Sequence, residues 1–115
     1  MADAATAPKR GEVWDVDLGD PIGHEAAFVR PALIVSADRF NRHRLVSVCP
    51  LTRTQKAYPT RVQLEPGESG LDVTSQVQVE QVRTISTARL VRRRGAAGGA
   101  AMIVVARILR LLFDL

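Results

Sequence analysis

Apolar and polar residues alternate over much of the chain with the period of two that marks half-buried strands. Trp14, Val16 and Leu18 alternate with Asp15 and Asp17, which predicts a first strand ending near Leu18, where Gly19-Asp20-Pro21-Ile22-Gly23 breaks the pattern. Arg30 to Ser36 reads as a continuous apolar strand and Leu45 to Leu51 as another. Asp38 and Asn41 suit turns between these two, which are expected to pair. Val62 and Leu64 alternate with Arg61, Gln63 and Glu65, and Val77 and Val79 with Gln76, Gln78 and Glu80, so both segments are expected to be strands with one wet face. At Glu80-Gln81-Val82 the alternation slips by one residue, as a bulge or a change of partner would produce, and Arg83-Thr84-Ile85 resumes it. A strand this bent suits a small barrel.

The period changes near the C-terminus. After a short helical turn over Ser86 to Leu90, Gly95 to Gly99 reads as a flexible lead into a helix from Met102 to Phe113. Arg107, Arg110 and Asp114 share one stripe of that helix, while Ile103, Val104, Ile108, Leu109, Leu111 and Leu112 cover most of the remaining circumference. So wide an apolar face leaves two readings open, burial against its own sheet and a contact between subunits. The expected fold is mainly β with a C-terminal helix, in one domain over residues 1–115 with residues 1–9 flexible.

Composition narrows the partners. The net charge is +4, and every basic residue except Lys9 and Lys56 is arginine, the side chain suited to bidentate phosphate contacts. Arg39, Arg42 and Arg44 gather around His43, and Arg89, Arg92, Arg93 and Arg94 form a second group; either could track a nucleic-acid backbone or simply solvate a surface. The single cysteine, Cys49, lies in an apolar run and reads as a buried structural thiol in a reducing compartment. The first ten residues lack the apolar core of a signal peptide, and no stretch has the length of a membrane helix, so a cytoplasmic protein with no membrane partner is expected.

Two histidines and one cysteine give no metal-site spacing, and the glycines at 95–99 lack the Lys and Ser/Thr of a phosphate loop, so no cofactor or metal is called for. The chemistry-bearing residues lie in three places. His24, Glu25 and Arg30 surround the first loop; Thr52, Arg53, Thr54, Gln55 and Lys56 follow the third strand; Gln81 and Arg83 flank the slip. Pro31 biases Arg30 toward an extended backbone, fixing the guanidinium at the mouth of a strand. Such a set suits a phosphodiester.

These residues resemble the MazF/PemK toxins, ribosome-independent endoribonucleases of toxin–antitoxin systems. The likeness runs through Arg10-Gly11-Glu12-Val13-Trp14-Asp15-Val16-Asp17-Leu18, Gly23-His24-Glu25, Arg30-Pro31-Ala32-Leu33-Ile34-Val35-Ser36, Pro50-Leu51-Thr52, Lys56-Ala57-Tyr58-Pro59 and Glu80-Gln81-Val82-Arg83-Thr84-Ile85, in the family's order. The resemblance implies a small, partly open antiparallel barrel of the Src-homology-3-like kind, a homodimer, and metal-independent cleavage of single-stranded RNA. It also implies a cognate antitoxin with an acidic, disordered tail as partner.

The resemblance maps the catalytic pair onto Arg30 and Thr52, and the first-loop glutamate onto Glu25. RNA is cut without metal when its 2′-hydroxyl attacks the adjacent phosphorus, leaving a 2′,3′-cyclic phosphate and a 5′-hydroxyl. A guanidinium is a poor proton carrier, so Arg30 is expected to stabilise charge on the phosphoryl oxygens, with Thr52 donating a further hydrogen bond. Either Glu25 or His24 is left as general base. Asn41, Arg53, Thr54, Gln55, Lys56 and Gln81, with His24, are expected to line the RNA groove, and Trp14 or Tyr58 either stacks a base or packs in the core. Two other readings of the same barrel stay open: a non-enzymatic gyrase poison of the CcdB type, and a nucleic-acid-binding barrel without catalysis.

Overall fold

The computed structural model describes residues 7–115. Seven strands form one bent antiparallel sheet that does not close: β1 (Glu12–Asp17), β2 (Val29–Ile34), β3 (Leu45–Thr52), β4 (Arg61–Leu64), β5 (Ser75–Gln78), β6 (Arg83–Ser86) and β7 (Leu90–Ala96), followed by one helix, α1 (Gly99–Leu112). The strand order is β4-β5-β3-β2-β1-β7, with β6 also paired to β3. The expected pairing of the second and third strands holds, with Ala32 opposite Pro50 and Ile34 opposite Val48. Of the N-terminal segment expected to be flexible, residues 1–6 lie outside the described residues, and residues 8 and 9 make the contacts that follow. Pro8 is buried with its carbonyl held by Asn41, and the Lys9 N–H donates to Glu12 at 2.7 Å.

The stretches 32–34 of β2 and 48–51 of β3 are apolar throughout because the sheet is covered there on both faces. One core packs Val13, Leu33, Cys49, Leu51 and Val77 beneath Met102 and Val105 of α1, and the other packs Val16, Ala32, Ile34, Val46, Val48 and Ile85 on the opposite face. Strand β3 divides its length between neighbours, with Val46–Val48 paired to β6 and Leu51–Thr52 to β5. The slip in alternation between β5 and β6 is a 3-10 turn, Val79–Gln81, and a second such turn, Thr87–Arg89, precedes β7.

Three expectations fail here. The arginines at 92–94 belong to a strand, β7, whose side chains pair across to β1: Arg92 and Arg94 each reach Asp15 at 3.0 Å, and Arg93 reaches Glu12 at 2.8 Å, with Arg94 largely buried and Arg92 and Arg93 still exposed. Asp15, which the alternation assigns to the wet face, is therefore buried. The stretch from Gly95 is not a loose lead either. Gly95 lies against the Glu68 and Ser69 backbone, as Gly70 lies against that of Arg94, so closely that neither place has room for a side chain. Thirdly, β5 has no wet face, since Ser75, Gln76, Val77 and Gln78 are all buried.

Helix α1 settles half of its own question. Met102 and Val105 are buried in the core, while Ile103, Leu111, Phe113 and Leu115 are more than half exposed. The glycine packing predicts a sharp contrast in stability. Gly95→Ala, whose methyl would overlap the Glu68 carbonyl oxygen, should lower the unfolding free energy by about 2 kcal/mol or more. Gly99→Ala, in open space at the start of α1, should be neutral or stabilising by up to about 1 kcal/mol. Urea denaturation of the two variants measures both.

Candidate functional site

One end of the sheet gathers the start of β2 and the ends of β1 and β3. The register that sets Ala32 opposite Pro50, carried two residues further, sets Arg30 opposite Thr52. Alternation places both on the face of Ala32 and Val48. Val16 pairs with Arg30 on one side, Thr52 with Gln76 on the other, and Gln76 in turn with Gln63, so a row that begins apolar in β1 becomes polar across four strands. The half-buried Arg30 donates through Nε to the Ala27 carbonyl at 3.1 Å, which draws the guanidinium toward the first loop. Among the described residues no carboxylate stands within ion-pair distance of it. The Thr52 hydroxyl oxygen accepts from the Thr54 N–H at 3.2 Å, which leaves its own proton available to a further acceptor.

Both loops at this end are held by a glutamine amide. Gln81 accepts the Ala26 N–H at 2.6 Å and donates through Nε2 to the His24 carbonyl at 3.2 Å, fixing the loop that carries His24 and Glu25. His24, Glu25 and Gln81, with Arg83, then line a cavity of about 550 Å³. Gln76 holds the second loop in the same manner, accepting the Lys56 N–H at 3.1 Å and donating to the Lys56 carbonyl at 3.0 Å. Sequence reading missed Gln76 because glutamine in an alternating strand looks like solvent-facing polarity. Here the loop it clasps covers it.

The expected groove residues separate accordingly. Arg53, Gln55 and Lys56 are exposed on the second loop, as is Thr54, and Arg53 has only a distant ionic neighbour, Asp72 at 3.9 Å. Gln81 belongs to the site but has both ends of its amide engaged by the first loop. Asn41 does not line a groove. It is 2% exposed, and its side chain bonds the Ser36 hydroxyl and donates to the carbonyls of Pro8 and Ser36, so it ties the N-terminal segment to the β2–β3 connection. Of the two aromatics with open roles, Trp14 packs against the second core and donates its indole N–H to Glu12, and Tyr58 is half exposed with the Arg61 guanidinium 4.9 Å from its ring centre.

Electrostatics around the site are set by paired charges. Burial alone would raise the Glu80 carboxyl, but hydrogen bonds from Arg61 and Thr60 outweigh it and hold the group below the usual carboxylate range. Glu12 is likewise lowered, burial being outweighed by the Lys9 N–H, the Trp14 indole and Arg93. Burial, and the charge of Glu80, push the Cys49 thiol up to about 12, as an inert structural thiol requires. Among the described residues, no three His, Cys, Asp or Glu side chains come together as metal ligands would.

Comparison with known proteins agrees over nearly the whole chain. A family model described as PemK-like, MazF-like toxin of type II toxin-antitoxin system matches residues 9–113. Endoribonuclease MazF9 of Mycobacterium tuberculosis is 39% identical over 114 residues, covering 93% of this chain and 97% of the relative. The crystal structure of MazF from Deinococcus radiodurans superposes with a TM-score of 0.83 at 27% identity, covering 95% of this chain and 98% of that one. A mycobacterial endoribonuclease solved in complex with its cognate antitoxin superposes with a TM-score of 0.79 at 31% identity, covering 95% of this chain and 97% of that one.

The Arg61–Glu80 pair yields a pH signature. A carboxyl lowered by folding contributes stability that is fully present above its unfolded pKa and is lost as pH falls through its folded one. Glu80→Gln should cost about 1.5–3 kcal/mol at pH 7, since it leaves the nearly buried Arg61 without its charged acceptor. The gap from wild type should close as the pH falls below about 4. Thermal melts of both proteins between pH 7 and pH 3 test this, and a gap independent of pH would contradict it.

Proposed function

The chain belongs to the PemK-like, MazF-like family of type II toxin–antitoxin toxins, and from that premise we propose that it cleaves single-stranded RNA by attack of the substrate's own 2′-hydroxyl. One observation carries the reading. A guanidinium without a carboxylate partner lies, by the strand register, opposite a hydroxyl with a proton to donate, and it is bonded to the Ala27 carbonyl of the loop that carries a histidine and a glutamate.

In the proposed reaction the scissile phosphate lies between Arg30 and Thr52. A base on the first loop, Glu25 or His24, takes the proton of the 2′-hydroxyl. The freed oxygen bonds to phosphorus and the bond to the 5′-oxygen breaks. That oxygen takes up a proton and leaves as a 5′-hydroxyl, and the other fragment ends in a 2′,3′-cyclic phosphate. Negative charge grows on the non-bridging oxygens, where Arg30 and Thr52 donate hydrogen bonds already in position. Arg53, Thr54, Gln55 and Lys56, on a loop fixed by Gln76, would hold flanking phosphates and base edges, while Gln81 acts by fixing the first loop.

The partners follow from the same premise: unpaired RNA as substrate, a second copy of the chain, and an antitoxin whose acidic, disordered tail fills the basic groove. A mycobacterial relative solved with its antitoxin supports the last of these. No helix among the described residues is long and apolar enough to cross a membrane, which agrees with a cytoplasmic toxin.

Purified protein should cut single-stranded RNA in the presence of EDTA and leave ends that carry a cyclic phosphate and a 5′-hydroxyl. Arg30→Ala and Thr52→Ala should each lower kcat by about 10²–10³-fold with melting temperatures close to wild type. Replacing Glu25 by Gln and His24 by Ala in separate proteins assigns the base, because only the true one should remove the acidic limb of the pH–rate profile. Undiminished cutting by Arg30→Ala would overturn the proposal.

A further inference from the structure

Phe28 has a φ of 61°, in the left-handed region that bulky side chains almost never adopt. Its backbone is locked there, since the Phe28 N–H donates to the Gly19 carbonyl at 2.7 Å and its carbonyl accepts the Leu18 N–H at 2.9 Å. A glycine would satisfy both bonds without strain. Core packing does not explain the phenyl ring, because it is 59% exposed and belongs to neither core. Strain without a packing return is a mark of functional positions.

The position is specific. Phe28 stands one residue before β2 and two before Arg30, and the carbonyl of its neighbour Ala27 is the group that holds the Arg30 guanidinium. It therefore sits at the end of the sheet where the register sets Arg30 opposite Thr52. The other aromatic rings are engaged or stand elsewhere: Trp14 packs against the second core, Tyr58 carries Arg61, Phe40 carries Arg39 beyond the far end of β2, and Phe113 caps the C-terminal end of α1. Exposed Ile22 and Val29 add apolar surface on the same loop and strand start.

We propose that Phe28 is a stacking platform for an unpaired nucleobase adjoining the scissile phosphate, and that it sets the base preference at that position. Every base has a face to stack, and an aromatic ring held rigidly by its backbone loses little freedom on meeting one. The inference rests on the RNA-cleaving reading above, and wild-type protein alone tests that reading.

The experiment compares wild type, Phe28→Gly and Phe28→Tyr on a library of short single-stranded RNAs randomised around the cut. Phe28→Gly should raise KM about tenfold, change kcat less than twofold, flatten base preference at one position beside the cut, and melt at the wild-type temperature or above it. Phe28→Tyr should restore KM and preference. Unchanged KM and cleavage pattern in Phe28→Gly would overturn the inference, including the case where only antitoxin affinity falls, which would assign the ring to protein docking. A loss of activity that tracks a fall in melting temperature and is not restored by tyrosine would also overturn it. Intact RNA with folded wild-type protein would overturn the function itself, and the inference with it.

Discussion

The functional end of this protein depends on the register between β2 and β3. A shift of one residue would turn every side chain of one strand to the opposite face and send Thr52 away from Arg30. What prevents the shift is burial on both sides. Leu33, Cys49 and Leu51 belong to the core under α1, and Ala32, Ile34 and Val48 to the core on the other face, so a slip in either direction would move apolar residues out of both. Pro50 accepts a place inside this pairing, opposite Ala32. The proposed reactive pair is thus positioned by apolar residues of the two cores.

The loops that complete the site depend on a second device. The segment from β5 through the following 3-10 turn carries three glutamines, and two of their amides bind backbone on both donor and acceptor sides, Gln81 on the first loop and Gln76 on the second. An amide serves this purpose better than a carboxylate or an ammonium, because it donates and accepts at once without bringing a charge beside Arg30. Arg61 and Glu80 neutralise each other in the same region. The arginines of β7 are matched by Asp15 and Glu12, whereas Arg30 has no such partner among the described residues.

Much of the fold is legible in the sequence where burial alone decides the pattern. The apolar run from Ala32 and the alternation at Val62 and Leu64 lead directly to β2 and β4, and the slip after Val79 marks a real change of direction. The pattern misleads where partners distant in sequence supply the compensation. Arg94 looks like solvated charge until Asp15 is seen across the strand pair, and Gly95 looks like part of a flexible lead until the Glu68 carbonyl is seen against it. Asn41 and Gln76 read as surface polarity because a local reading does not reveal which loop folds over them. Arg30, Thr52 and the first loop were found through resemblance to a family. The register, extended two residues beyond Ala32 and Pro50, sets Arg30 opposite Thr52, which spacing in the chain does not contain.

The most direct measurement is a crystal structure of this protein with a single-stranded RNA made resistant by a 2′-deoxy sugar at the cut. The account predicts one phosphate within hydrogen-bond distance of both the Arg30 guanidinium and the Thr52 hydroxyl, with the first loop over the sugar. A phosphate held by only one of the two, or a strand bound along Arg39, Arg42 and Arg44 with the Arg30–Thr52 cleft empty, would contradict it.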